Sequence, residues 1–264
     1  MAASFALTDS HCHLELIAEA GEDEPGSSLR EAAAAGVSRV INIGLGRDNH
    51  AVLARAGKHE NVFATLGWHP HEKQPPGDDD LATMLDLAGD PRVVAIGEVG
   101  LDYHWSEGYH EVPPDVQMES FRLMLELARE AGLPVVVHSR DAHQDTLERL
   151  ENYPDLQVVM HAFSGDADYA RECVSRGMVL SLAGPVTYPS AGALREAVDA
   201  VAPESLLVET DAPFLPPQPW RGKPNRPHMM VETAATVARI KGFSLDEFAA
   251  TCTRTADRVF RFPG

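Results

Sequence analysis

The chain has 264 residues, 44% of them hydrophobic and 23% charged, with 40 acids against 22 bases for a formal net charge of −18. That length supports one large α/β domain or two small ones, and no run of about 18 apolar residues exists to span a membrane. The acidic balance argues against a protein that coats nucleic acid or anionic lipid with a broad basic surface, but not against an enzyme that meets a phosphodiester through a bound cation.

Residues 1–7 lack the basic and long apolar segments of a secretory signal. A short apolar run predicts a strand over 5–9, and His11-Cys12-His13 follows it. Helices over 29–35 and 49–58 flank a strand over 39–43, and a strand over 62–66 leads into Gly67-Trp68-His69-Pro70-His71. After a helix over 81–88, a strand over 93–98 ends in Glu98. The clearest helix spans 115–131: Phe121, Leu125 and Ala128 recur at i, i+4 and i+7, and Gly132 stops it. Strands over 134–138 and 157–161 end in His138 and His161, with a helix over 142–150 between them. A helix over 166–176, a strand over 178–182 and a helix over 191–200 precede the last strand, 206–211, which ends in Asp211. The stretch 212–227 carries six prolines and reads as a long functional or mobile loop. Helices over 231–240 and 245–259 close the chain.

Eight strands, mostly continuous apolar runs, alternate with helices in a chain of this length. That is the arithmetic of a single-domain (β/α)8 TIM barrel, although a doubly wound open sheet would alternate in the same way. Cysteines 12, 173 and 252 form no disulfide framework, which suits a reducing cytoplasm and predicts a cytoplasmic protein.

In a barrel, His11, His13, Glu98, His138, His161 and Asp211 all fall at the carboxyl ends of strands, where barrel active sites are built. In an extended segment His11 and His13 point the same way, so both imidazoles can reach one cation while Cys12 faces away. Closure brings strand eight beside strand one, and so Asp211 beside the histidine pair. Strands four, five and six are consecutive, so Glu98, His138 and His161 meet, and Glu98 is placed to give one oxygen to each of two ions. Mixed imidazole and carboxylate donors with room for water suit a hydrolytic metal site. Each residue alone could be a satisfied polar group at a strand end. Six on one face make metal binding the better reading.

The His11-Cys12-His13 pair, Gly97-Glu98-Val99-Gly100-Leu101-Asp102-Tyr103, His138-Ser139-Arg140-Asp141-Ala142, His161-Ala162-Phe163-Ser164-Gly165 and Glu209-Thr210-Asp211-Ala212-Pro213 stand in that order. With Gly67-Trp68-His69-Pro70-His71, this resembles the TatD family of metal-dependent deoxyribonucleases, in the amidohydrolase-like superfamily, over nearly the whole chain. The resemblance implies His11, His13, Glu98 and Asp211 around one divalent ion and Glu98, His138 and His161 around a second, as Mg2+, Mn2+ or Zn2+. It implies Asp211 and Glu98 as the catalytic acids, Asp211 taking a proton from the attacking water. The implied activity is phosphodiester hydrolysis as a 3′–5′ exonuclease on DNA 3′ ends or single strands. Two positions depart from the family pattern: Arg226 stands where an acid is usual, and Thr255 where Asn is common.

Substrate contacts are less sharply marked. His69 either donates to a phosphate or packs in its loop. Tyr103 and Trp105 either stack on bases or plug the barrel rim. Arg221 and Lys223, with Arg226, either bind phosphate or are solvated loop cations. Asp78, Asp79 and Asp80 cap a helix rather than hold metal. Gly44-Leu45-Gly46 lacks the third glycine of a dinucleotide fingerprint, and there is no GxSxG or phosphate loop. Two rivals remain. One is a metal-dependent hydrolase of a small-molecule or aminoacyl-RNA ester or amide. The other is a non-catalytic scaffold that keeps metal for stability. No membrane and no obligate protein partner are expected.

Overall fold

In the computed structural model, which describes residues 4–19, 25–104, 108–109 and 111–263, strands and helices alternate from end to end. Strand β1 is Leu7–Cys12, followed by helices α1 Leu14–Glu19 and α2 Pro25–Ala34. Then come β2 Val37–Asn42, α3 Asn49–Ala56, β3 Val62–Leu66, α4 Asp78–Leu87, β4 Val93–Asp102 and α5 Pro114–Ala131. The second half runs β5 Val135–Arg140, α6 His143–Leu150, β6 Val158–Met160, α7 Ala167–Ser175, β7 Val179–Leu182, α8 Gly192–Asp199 and β8 Leu206–Val208. Helices α9 Met230–Lys241 and α10 Leu245–Phe260 finish it.

The eight strands are all parallel and pair in sequence order, β1 through β8. The sheet closes where β8 returns to β1. Asp211 N–H donates to His11 O at 2.8 Å and His13 N–H to Ala212 O at 2.9 Å, with a bridge between Cys12 and Ala212. The fold is therefore a (β/α)8 TIM barrel. Every residue of β1, β3 and β4 is buried, as expected of strands covered inside by barrel packing and outside by helices. Helix α5 turns Phe121, Met124, Leu125 and Ala128 inward. It ends on Gly132 in the left-handed conformation, whose N–H returns to Ala128 O. Helix α10 starts on a reciprocal pair, Ser244 and Glu247.

Most elements shift by a few residues from the sequence expectation, β8 for one stopping at Val208, three short of Asp211; three differences at the start of the chain and beside Glu98 are the most instructive. β1 begins and ends later than 5–9, so His11 lies within the strand and only His13 follows it. β4 runs four residues past Glu98 to Asp102. α1 was not expected. In the first two cases polar residues, Asp9, Ser10, His11 and Asp102, continue a strand because they are satisfied inside the barrel. Among the described residues, no helix is long and apolar enough to cross a membrane.

Candidate metal centre

Parallel strands deliver their carboxyl ends to one rim, and six residues named from the sequence meet there. Glu98, only 3% exposed, is their hub. Its Oε2 lies 3.2 Å from His11 Nε2 and 3.8 Å from His13 Nε2. Its Oε1 accepts from His138 Nδ1 at 2.7 Å and lies 3.4 Å from His161 Nε2. Asp211 Oδ1 completes the first group, 3.2 Å from His13 Nε2 and 3.7 Å from His11 Nε2. One carboxylate is thus divided between two sets of donors.

These separations fit divalent cations. Donors around one tetrahedral ion at about 2.0–2.1 Å must lie roughly 3.3 Å from each other. The His11 and His13 Nε2 atoms are 3.2 Å apart and both face acid oxygens. His11–His13–Glu98, His11–His161–Glu209 and His69–Glu98–His138 are each close enough to hold one ion. Imidazole nitrogen with carboxylate oxygen is a donor set that zinc and manganese accept.

Burial opposes charge throughout the cluster, and the neighbours decide the outcome. Burial raises the Glu98 carboxyl, but His161, His69 and His11 outweigh it and hold the group well below the usual range. Burial likewise raises Asp211, and the His13 hydrogen bond with the charges of His161 and His11 brings it down. Burial lowers His161 and His138. Glu209 and Glu98 carry His161 up to about 10, and the Asp102 and Glu98 bonds carry His138 up to about 9. Burial and His161 together lower His11.

A ring of supporting carboxylates surrounds these residues. Asp102, fully buried, faces His138 Nε2 and His71 Nε2 at 3.2 and 3.0 Å. Glu209 Oε1 lies 2.8 Å from His161 Nδ1 and accepts from the Ala162 N–H. Asp9 accepts from the Thr210 hydroxyl at 2.6 Å and the Thr210 N–H at 2.9 Å, tying β1 to the Asp211 segment. Burial drives Asp9 up to about 7 against those bonds. Sequence reasoning gave none of the three a role. The signal was spacing: Asp9, Asp102 and Glu209 stand two or four residues from His11, Glu98 and Asp211. Ala162 and Asp211 hold positive φ, 42° and 55°, a strained backbone of the kind that gathers at functional sites.

His69 belongs to the cluster, with Nε2 3.5 Å from Glu98 Oε1. Its Nδ1 accepts the His71 N–H, so the proton resides on Nε2 and His69 is a donor there. Burial, helped by His138 and His71, lowers its pKa to about 4. Tyr103 instead donates to Asp145 at 2.8 Å and does not line the cleft. Trp105 lies outside the described residues. Arg221 and Lys223 are exposed, outside the lining of the cleft, with the Arg221 guanidinium 4.8 Å above the Tyr188 ring. Arg226 donates to Ser28 Oγ at 3.1 Å. Thr255 donates to Glu204 O, joining α10 to the segment before β8.

Comparison with known proteins gives the same answer by another route. The family model for TatD-related DNase matches residues 8–261. A Bacillus subtilis protein named "Uncharacterized metal-dependent hydrolase YabD" is 37% identical, covering 97% of this chain and 99% of its own. The "3'-5' ssDNA/RNA exonuclease TatD" of Cronobacter sakazakii is 34% identical over 88% of this chain and 90% of its own. The crystal structure of YjjV, a TatD homologue from Escherichia coli, superposes with a TM-score of 0.87 at 30% identity, covering 97% of this chain and 98% of that one. A match of this extent, on a barrel whose strand ends converge as described, places the chain in the TatD-related DNase family of metal-dependent hydrolases.

Proposed function

We propose that the protein is a 3′–5′ exodeoxyribonuclease that cleaves phosphodiesters at DNA ends with two divalent ions. The observation that carries this is the divided Glu98 carboxylate, with Oε2 toward His11 and His13 and Oε1 toward His138 and His161. His11, His13, Glu98 and Asp211 would hold one ion; Glu98, His138 and His161 would hold the other. When bound, such a pair supplies an acidified water and charge stabilisation at the phosphoryl oxygens.

The chain's own residues do the rest. The surrounding imidazoles lower Asp211 in the ion-free site, an adjacent cation would favour its ionised form in their place, and its carboxylate takes the proton of the attacking water. His69 Nε2–H stands beside Glu98 and donates to a non-bridging phosphate oxygen. Asp102 and Glu209 fix the ring orientations of His138 and His161 from behind. Arg221 and Lys223 contact phosphates farther along the strand.

The test is a substrate panel on metal-stripped protein reloaded with Mg2+, Mn2+ or Zn2+. Single-stranded DNA labelled at either end, RNA, aminoacyl-tRNA and simple esters are compared. Stepwise loss of nucleotides from the DNA 3′ end, abolished by chelation, is the expected result. Hydrolysis of the aminoacyl or simple ester alone would replace the nuclease reading with the ester reading.

A further inference from the structure

The cleft above the cluster holds about 740 Å³, within the range of sites that enclose a small molecule. Its two sides differ in kind. On the β8 and β1 side, Phe214 stands at the lip, 51% exposed, its ring 6.2 Å from that of His13. Leu215, Leu194, Pro185 and Phe163 also line the cleft and add carbon surface to it. A half-exposed phenyl ring at the mouth of a site gains free energy when a flat apolar partner covers it.

On the β4 and β5 side, Arg140 ends β5, two residues past His138, and lines the same cleft. Its guanidinium donates to the Tyr109 hydroxyl at 2.8 Å and lies 4.9 Å over the Tyr109 ring. That hydroxyl donates onward to Asp102 Oδ2 at 3.0 Å, and the same oxygen faces His138. Arg39, Arg55, Arg122 and Arg176 each pair with an acid. Arg140 does not: among the described residues no carboxylate lies within ion-pair distance of it. A guanidinium steadied by a neutral phenol keeps its charge and most of its N–H donors for an anion.

The two groups flank the donor cluster, Phe214 beyond Asp211 and His13, Arg140 beyond His138 and Asp102. We propose that the cleft grips one nucleotide across its width, with Arg140 on the phosphate and Phe214 stacked on the base. The choice of a nucleotide rests on the nuclease reading above, because a nucleobase is the flat apolar group that a nucleic-acid phosphate carries. A phenyl face makes no hydrogen bond to a base edge, so the grip is indifferent to base identity but requires the base to be unstacked. Single-stranded or frayed ends meet that requirement.

Calorimetric titration of the metal-loaded protein with dAMP and with 2-deoxyribose 5-phosphate tests the inference. The wild type is expected to bind dAMP about tenfold more tightly, the scale of one base–aromatic stack. Phe214→Ala should erase that difference, and Phe214→Leu should keep part of it. Arg140→Ala should weaken both ligands by about tenfold or more, and Arg140→Lys should recover part of the loss. Equal binding of the two ligands by the wild type overturns the inference. So does a base preference that survives in Phe214→Ala, or unchanged binding of both ligands by Arg140→Ala and Arg140→Lys. Digestion of oligodeoxynucleotides by the same preparations separates the two readings. Tight dAMP binding without DNA cleavage removes the nuclease and leaves the nucleotide grip. Cleavage without a base preference in binding does the reverse.

Discussion

Asp211 occupies the most demanding position in the site. Its backbone holds φ 55°, its N–H closes the barrel onto His11 O, and its carboxylate faces two imidazoles. Asp211→Asn keeps the size and removes the charge and the base. The catalytic rate should fall at least about 100-fold, while DNA affinity changes much less. Single-turnover cleavage beside equilibrium binding measures both, and near-normal turnover would remove Asp211 from the proton transfer. Glu209→Gln probes the layer behind. Glutamine can still accept the Ala162 N–H through its oxygen but cannot place an anion 2.8 Å from His161 Nδ1. Metal affinity should drop roughly 10-fold to 100-fold, read by competition with a chromogenic chelator; unchanged affinity would make Glu209 a packing residue only. The contrast between these residues shows what the sequence made legible. Residues facing the cluster could be read because six histidines and acids fall together at the predicted strand ends of one barrel face. Asp9, Asp102 and Glu209 were passed over, because their spacing from His11, Glu98 and Asp211 does not say which groups on other strands and loops they meet.

At the scale of the element, β4 is the instructive case. Glycines 97 and 100 flank Glu98, and glycine inside an apolar run reads as a break. Here they let neighbouring backbones close around the hub. A Cβ on Gly100, which holds φ 138°, would lie 2.1 Å from His138 O. Gly100→Ala should therefore cost about 1–3 kcal/mol and separate β4 from β5, lowering the melting temperature and loosening metal binding together. A variant that melts like the wild type would show that the strands can yield there. α1 escaped notice because six residues are too few to display a helical period. The proline-rich segment after β8 was legible as a special loop, and what holds it was not. Asn225, 1% exposed, donates to Thr210 O at 2.7 Å and Leu215 O at 3.3 Å. Its exposed cations, Arg221 and Lys223, carry a separate expectation. If they meet phosphates, replacing each with Ala should flatten the salt dependence of single-strand binding by a slope of roughly 0.7, with metal content unchanged. An unchanged slope would leave them as solvated loop residues.

Across the whole molecule, the barrel was the most legible feature, because eight apolar runs and the helices between them set the period, while the closing seam depends on contacts no period reveals. At that seam, and across the rim from it, the fold concentrates what it should avoid. Asp9, Glu98, Asp102, Glu209 and Asp211 are all buried in a chain whose net charge is already −18. Removing carboxylates from water is costly unless positive charge accompanies them. In the ion-free site protonated imidazoles supply it; divalent ions would displace those protons and supply it instead, in the folded chain only, since the unfolded chain scatters the donors. Binding to the native state alone stabilises by about 2.7 kcal/mol when the free ion is at 100 times its dissociation constant. For a domain of this size that corresponds to a shift of roughly 5–10 °C per site. Chelation should therefore lower the melting temperature of the purified protein by at least that amount, and excess Mn2+ or Zn2+ should restore it. In His11→Ala/His13→Ala the metal-dependent part of the shift should shrink, because that double change dismantles one donor set. Scanning calorimetry with and without chelator measures this directly. A wild-type melting temperature indifferent to both chelator and added ion would mean that the histidines alone balance the buried acids, and that the cluster holds no cation tightly.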